Sequence, residues 1–142
     1  MPIIRDLVVD LTNFYSQYKR IKPYLITDNS ISYEAEQLQS KNERSKLDGL
    51  YECILCACCT SACPSYWWNP DKFFGPAASL QCARFVFDSR DSRKHERLSE
   101  LDDKFNIFRC RTIMNCTYVC PKGLNPAKAI AELRMEMIKS KI

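Results

Sequence analysis

A chain of 142 residues with 46% hydrophobic content, three glycines and a formal net charge of +4 has the balance of one globular domain or a piece of a larger one. Basic residues alternate with acidic ones along 88–97 and no apolar run reaches membrane-spanning length, so neither a nucleic-acid surface nor a transmembrane segment is expected. The nine cysteines are odd in number and no apolar signal segment precedes them, which argues against a disulfide-built secreted domain and for a reducing compartment.

In chain order, Leu7, Val8, Leu11, Phe14, Tyr15 and Tyr18 recur at helical spacing and predict an amphipathic helix from Arg5 to Arg20, ended by Pro23. Tyr24 to Gln39 has weak periodicity and several turn residues, as expected of a loop lying on a partner surface. Lys41 to Leu50 reads as a polar, helical lead-in. Gly75-Pro76 opens a second helix through Leu80, Ala83 and Phe87 to about Asp88, proline being tolerated in a first turn. The charged run 88–97, which holds the single His95, reads as a solvated mobile loop, followed by a short helix near Ser99 to Lys104. Asn125-Pro126 caps the last helix, whose Ile130, Leu133, Met137 and Ile138 share one apolar face, the methionine as core filler. No segment shows convincing strand alternation.

Seven of the nine cysteines fall into two runs in one register. The first is Cys53-x2-Cys56-x2-Cys59-x3-Cys63-Pro64; the second is Cys110-x5-Cys116-x3-Cys120-Pro121, with Ile113 where a third cysteine would stand. The first matches the two-cluster ferredoxin spacing, in which the cysteine before proline ligates the other cluster. That crossing gives Cys53, Cys56, Cys59 and Cys120 a complete four-thiolate site. It leaves Cys63, Cys110 and Cys116 one ligand short, because Ile113 has no lone pair. The expectation is one 4Fe–4S cluster beside one 3Fe–4S cluster. Zinc is the competing metal, but its knuckles need neither a third cysteine in step nor the trailing Cys-Pro. Cys58 and Cys82 fall outside the register and are expected to be buried small apolar residues. The expected fold is mostly α, a helical two-cluster ferredoxin-like domain without substantial sheet. Residues 1–40 form an amino-terminal helix and partner-binding arm, and 41–142 the cluster-bearing part.

Directly after Cys63 comes Pro64-Ser65-Tyr66-Trp67-Trp68-Asn69-Pro70. Core packing accounts for Trp67 as readily as function does. An amphipathic indole beside the three-cysteine set also suits a flat ring with polar oxygens, such as a quinone. No phosphate loop, Ser/His/Asp set or carboxylate pair stands out, so the chain is expected to carry electrons rather than organic catalysis.

Together these motifs resemble the iron–sulfur subunit of succinate dehydrogenase, respiratory complex II. The resemblance rests on Arg5 to Asp10, Ile21 to Leu25, Leu47 to Cys59, Cys63 to Lys72, Asp88 to Asp91, and Ile113 to Pro126. It implies the same two ligand sets, with ubiquinone near Trp68, Pro64 and Ile113. It implies a flavoprotein subunit and membrane anchor subunits as partners, haem b on the anchors, and a peripheral place on the matrix side of the mitochondrial inner membrane or the cytoplasmic face of a bacterial one. Two features depart from the family. No plant-type 2Fe–2S run precedes Cys53, so a separate chain carrying that domain is expected to dock on the amino-terminal helix and arm. Arg111 stands where the family often has histidine near the quinone and a haem propionate; guanidinium keeps its charge but does not relay protons near neutral pH. A quinol:fumarate reductase subunit and a soluble ferredoxin-like carrier are the alternatives.

Overall fold

The computed structural model describes residues 1–28 and 36–141. Among these residues it is mostly helical, with one two-stranded antiparallel hairpin, as the sequence predicts for the class. The hairpin is a correction at the amino terminus. Strands β1 (Ile3–Arg5) and β2 (Val8–Val9) pair Ile3 with Val9 and Arg5 with Val8, so the first helix, α1, spans only Thr12–Arg20. The β-branched residues on both sides of Asp6, which takes a positive φ of 50°, favour extended backbone. Asp10 then accepts from the Thr12 N–H at 2.8 Å and satisfies one orphan amide of the new helix. Hydrogen bonding from Thr12, its side chain first and its backbone N–H second, holds the Asp10 carboxyl below its ordinary range.

Helix α1 buries Phe14 and Gln17. Phe14 packs with Ala57, Cys59, Ala77, Cys116 and Ala127, so one aromatic ring backs the residues of both cysteine runs. The Gln17 amide donates to the Pro70 and Asp71 carbonyls at 3.2 and 3.0 Å, and Asn13 donates to the Tyr66 hydroxyl and the Pro70 carbonyl, both at 2.7 Å. Helix α1 thereby fixes the turn that follows the tryptophan pair.

The lead-in is a short helix, α2 (Lys41–Ser45), opened by a reciprocal capping box between Ser40 and Glu43. After the first cysteine run come α3 (Cys58–Ser61) and α4 (Pro64–Trp68), then the long α5 (Gly75–Val86). Helix α5 packs along α8 (Pro126–Lys139), and Leu80, Ala83, Ile130, Leu133 and Met137 fill the shared interface. Ile138, assigned to the same face from periodicity, is exposed. Helix α8 starts as expected: the Asn125 side chain accepts from the Lys128 N–H and proline follows in the first turn. Gly75 has a positive φ of 84°, and a Cβ there would meet Thr60 Cγ2 at 3.0 Å and Tyr66 Cδ2 at 3.3 Å. Gly75→Ala is expected to destabilise the domain by about 1–2 kcal/mol from backbone strain alone. A shifted denaturant midpoint at unchanged slope checks this.

The run 88–97 corrects the expectation of a solvated loop. Asp88, Asp91 and Arg97 are buried, and helix α6 spans Lys94–Leu101 rather than starting near Ser99. Asp91 accepts from the Arg93 N–H at 2.9 Å, which organises the turn just before the helix. The Arg97 guanidinium pairs with Asp91 at 2.8 Å and donates to the carbonyls of Ile21, Lys22 and Tyr24 at 2.8, 2.9 and 2.7 Å. It also lies 4.8 Å from the centre of the Phe85 ring. The described ends of the 24–39 arm are tied to this turn. Ser92 donates to the Ile26 carbonyl, the Ile26 N–H donates to Asp91, and Gln39 donates to Asp88. The arm therefore packs on its own chain at both ends; residues 29–35 lie outside the described residues. A 3-10 turn (Ile107–Arg109) and helix α7 (Asn115–Tyr118) complete the order.

Candidate metal centres

The two cysteine runs fold into the same backbone shape. In the first, Leu55 and Ala57 take positive φ of 55° and 63°, and Ala57 precedes α3; in the second, Thr112 and Met114 take 56° and 73°, and Met114 precedes α7. Non-glycine residues rarely adopt this region even once, so two matched pairs in register mark one loop design used twice. The Asn115 amide donates to the Ala62 carbonyl at 3.2 Å and links one loop to the other.

Each predicted ligand set lines a separate pocket. Cys53, Cys56, Cys59 and Cys120 share one with Ala77, Leu80 and Leu124. Cys63, Cys110 and Cys116 share another with Pro64, Ile113 and Arg111. The crossing is thus visible in the fold: Cys63 sits with the second run and Cys120 with the first. The donor sets suit sulfur-loving iron chemistry. Burial pushes the Cys59 thiol up to about 12, and burial likewise raises Cys63 and Cys116. The nearby charges acting on Cys59 and Cys116 are other cysteines, which raise them further. Such thiols ionise readily only when a cationic group shares the pocket.

Cys110 and its loop are held from two sides. The Thr112 N–H points at Cys110 Sγ at 3.4 Å, and Arg134 from α8 donates to the Ile107 and Cys110 carbonyls at 2.7 and 2.8 Å. The sequence carries no sign of this role for Arg134, a lone cation next to an apolar helix face. Cys82 is buried, as expected of core filler, but Cys58 is exposed: the left-handed Ala57 aims Cys59 inward and leaves its neighbour at the surface. His95 is exposed on α6.

The tryptophans stand on α4, which begins at Pro64, and neither lines the three-cysteine pocket. Trp67 is about half exposed and donates its indole N–H to the Ser61 carbonyl. Trp68 is 82% exposed, and its indole has no hydrogen-bond partner among the described residues. Ile113 is half exposed at the pocket mouth. Arg111 is exposed, with no carboxylate in ion-pair reach among the described residues.

A helical fold with two cysteine-lined pockets in crossed register defines an iron–sulfur protein of the two-cluster kind, and the 4Fe-4S dicluster domain family matches residues 52–125; the chain belongs to that family. It is 63% identical over 138 residues to the succinate dehydrogenase iron-sulfur subunit of Coxiella burnetii, across 97% of this chain. The chain spans 58% of the length of that relative. The likeness to succinate dehydrogenase iron–sulfur subunits thus runs through nearly all of the present sequence. No helix among the described residues is long and apolar enough to cross a membrane.

Proposed function

We propose that the chain is the two-cluster electron-transfer portion of a succinate:ubiquinone oxidoreductase. Cys53, Cys56, Cys59 and Cys120 hold 4Fe–4S, and Cys63, Cys110 and Cys116 hold 3Fe–4S. The observation that carries this reading is the division of seven cysteines between two pockets in the crossed pattern, with Ile113 in the place of an eighth ligand. When bound, such clusters supply one-electron transfer at potentials set by charge, burial and hydrogen bonds to sulfur. The chain's own contribution is to bury Cys59 and Cys116, to direct the Thr112 N–H at Cys110 Sγ, and to hold the Cys110 loop through Arg134. Pro64 and Ile113 border the three-cysteine pocket, and ubiquinone is received there. Trp67 spends its N–H on Ser61, so Trp68 offers the free ring and donor.

The partners in this reading are a flavoprotein subunit and membrane anchors that carry any haem b. The assembly sits on the matrix face of a mitochondrial inner membrane or the cytoplasmic face of a bacterial one. Arg111 has no carboxylate partner among the described residues and is given no part in proton transfer.

Trp68→Ala in the assembled complex is expected to lower quinone reduction roughly tenfold, the loss of one well-placed aromatic contact. Succinate oxidation with an artificial acceptor should be nearly unchanged, because the indole lies beyond the last cluster. Equal loss in both assays would remove Trp68 from the quinone site. The cluster assignment itself is read by metal analysis and EPR of the unmodified protein: zinc without iron, or two 4Fe–4S centres, would overturn it.

A further inference from the structure

Three cations surround one phenyl ring on a part of the surface that the cluster reading does not use. Lys72 Nζ lies 4.5 Å from the centroid of Phe105, Arg109 Cζ 5.1 Å and Lys104 Nζ 5.2 Å. They arrive from separate pieces of chain: the turn after α4, the loop after α6, and the 3-10 turn before Cys110. Sharing one centroid at these distances, they lie within about one Debye length of each other at physiological salt, so they act as a single positive field. Each cation–π contact offsets only part of the repulsion. Asp102 pairs with Lys141 at 2.7 Å, and Asp103 accepts from the Phe105 N–H at 2.6 Å rather than pairing with a cation of the cluster. Among the described residues, no carboxylate comes within ion-pair reach of the three cations.

We propose that this Lys72–Lys104–Arg109 cluster binds the headgroup phosphates of anionic phospholipids. Phosphate oxygens satisfy several cations at once, and each lysine or arginine near an anionic surface adds its own increment of attraction. Lys72 and Lys104 are both exposed, so their charges are open to such a surface. The inference rests on charge placement and not on the cluster assignment, so either can fail without the other.

The test is flotation of the cluster-loaded chain with two kinds of vesicle, phosphatidylcholine alone and equal parts phosphatidylcholine and phosphatidylglycerol. Binding is expected only to the anionic vesicles, and it should weaken as salt rises. Each of Lys72→Gln and Lys104→Gln should weaken it about fivefold, and the pair roughly 25-fold. Lys72→Arg with Lys104→Arg should retain binding. The same charge loss placed at Lys41 and Lys46 should leave binding nearly unchanged. Equal binding to neutral vesicles, or equal weakening by the Lys41 and Lys46 changes, would overturn the proposal. So would abolition by millimolar inorganic phosphate, which marks a small-anion site. Retention on an immobilised acidic peptide without vesicle binding would also overturn it, in favour of a protein partner.

Discussion

Ile113→Cys will convert the three-cysteine centre to a four-cysteine one. The side chain at 113 already lines the pocket that holds Cys63, Cys110 and Cys116. It occupies the position that Cys56 occupies in the first loop, and the positive-φ pairs flanking the two positions match. The replacement therefore adds a sulfur donor without asking the backbone to move, and cysteine is smaller than isoleucine. Three ferric ions give the oxidised 3Fe–4S state an unpaired spin, whereas the oxidised 4Fe–4S state has none. The EPR signal of the oxidised protein should disappear while iron per chain rises. Because an added thiolate and iron change cluster charge and type, the potential of the centre should fall and quinone reduction with it. A variant that keeps both signal and iron content would show that position 113 does not face the vacant corner.

Breaking the buried pair at the base of the arm will give the largest loss of stability. With side-chain exposures of 2% for Arg97 and 0% for Asp91, neither group can recover its hydration while the fold stands. Asp91→Asn strands a guanidinium in the interior and is expected to cost about 3–5 kcal/mol. Arg97→Met strands the carboxylate and also frees the carbonyls of Ile21, Lys22 and Tyr24. Arg97→Lys should not rescue it, since one ammonium cannot reproduce a fork that serves a carboxylate and three carbonyls. Chemical denaturation of the cluster-loaded protein measures these costs. Coupling in a double-mutant cycle should be large, because removal of both charges leaves neither one uncompensated. A loss below 1 kcal/mol for Asp91→Asn would mean that water reaches the pair.

These two sites differ in how far the sequence discloses them. Ligand spacing is a local property, and the crossing of Cys63 and Cys120 follows from register, so the pocket partition could be read before any fold was known. Helices α5 and α8 were legible for a similar reason: proline in the first turn and an apolar face repeating at the helical period are local signals. The Asp91–Arg97 clasp was not, because alternating charges look alike whether they meet water or each other. What decides is the presence of three carbonyls brought from residues 21–24, a long-range fact. The hairpin is hidden because Leu7, Val8 and Leu11 satisfy helical spacing by coincidence, which masks the extended preference of Ile3, Ile4, Val8 and Val9. Arg134 and the Phe105 cations carry no local motif that announces them.

The crossed arrangement of the pockets bears on how such a protein comes into being. Cys120 lines the pocket of the first loop and Cys63 that of the second, so each proposed centre would be a clasp between segments separated by the whole of α5 and α6. Neither loop can be completed from its own stretch of chain. A ribosome would have to release nearly everything shown here before either centre could mature, and filling one would shorten the search for the other. Maturation should thus be cooperative, with half-loaded molecules scarce and vulnerable to proteases.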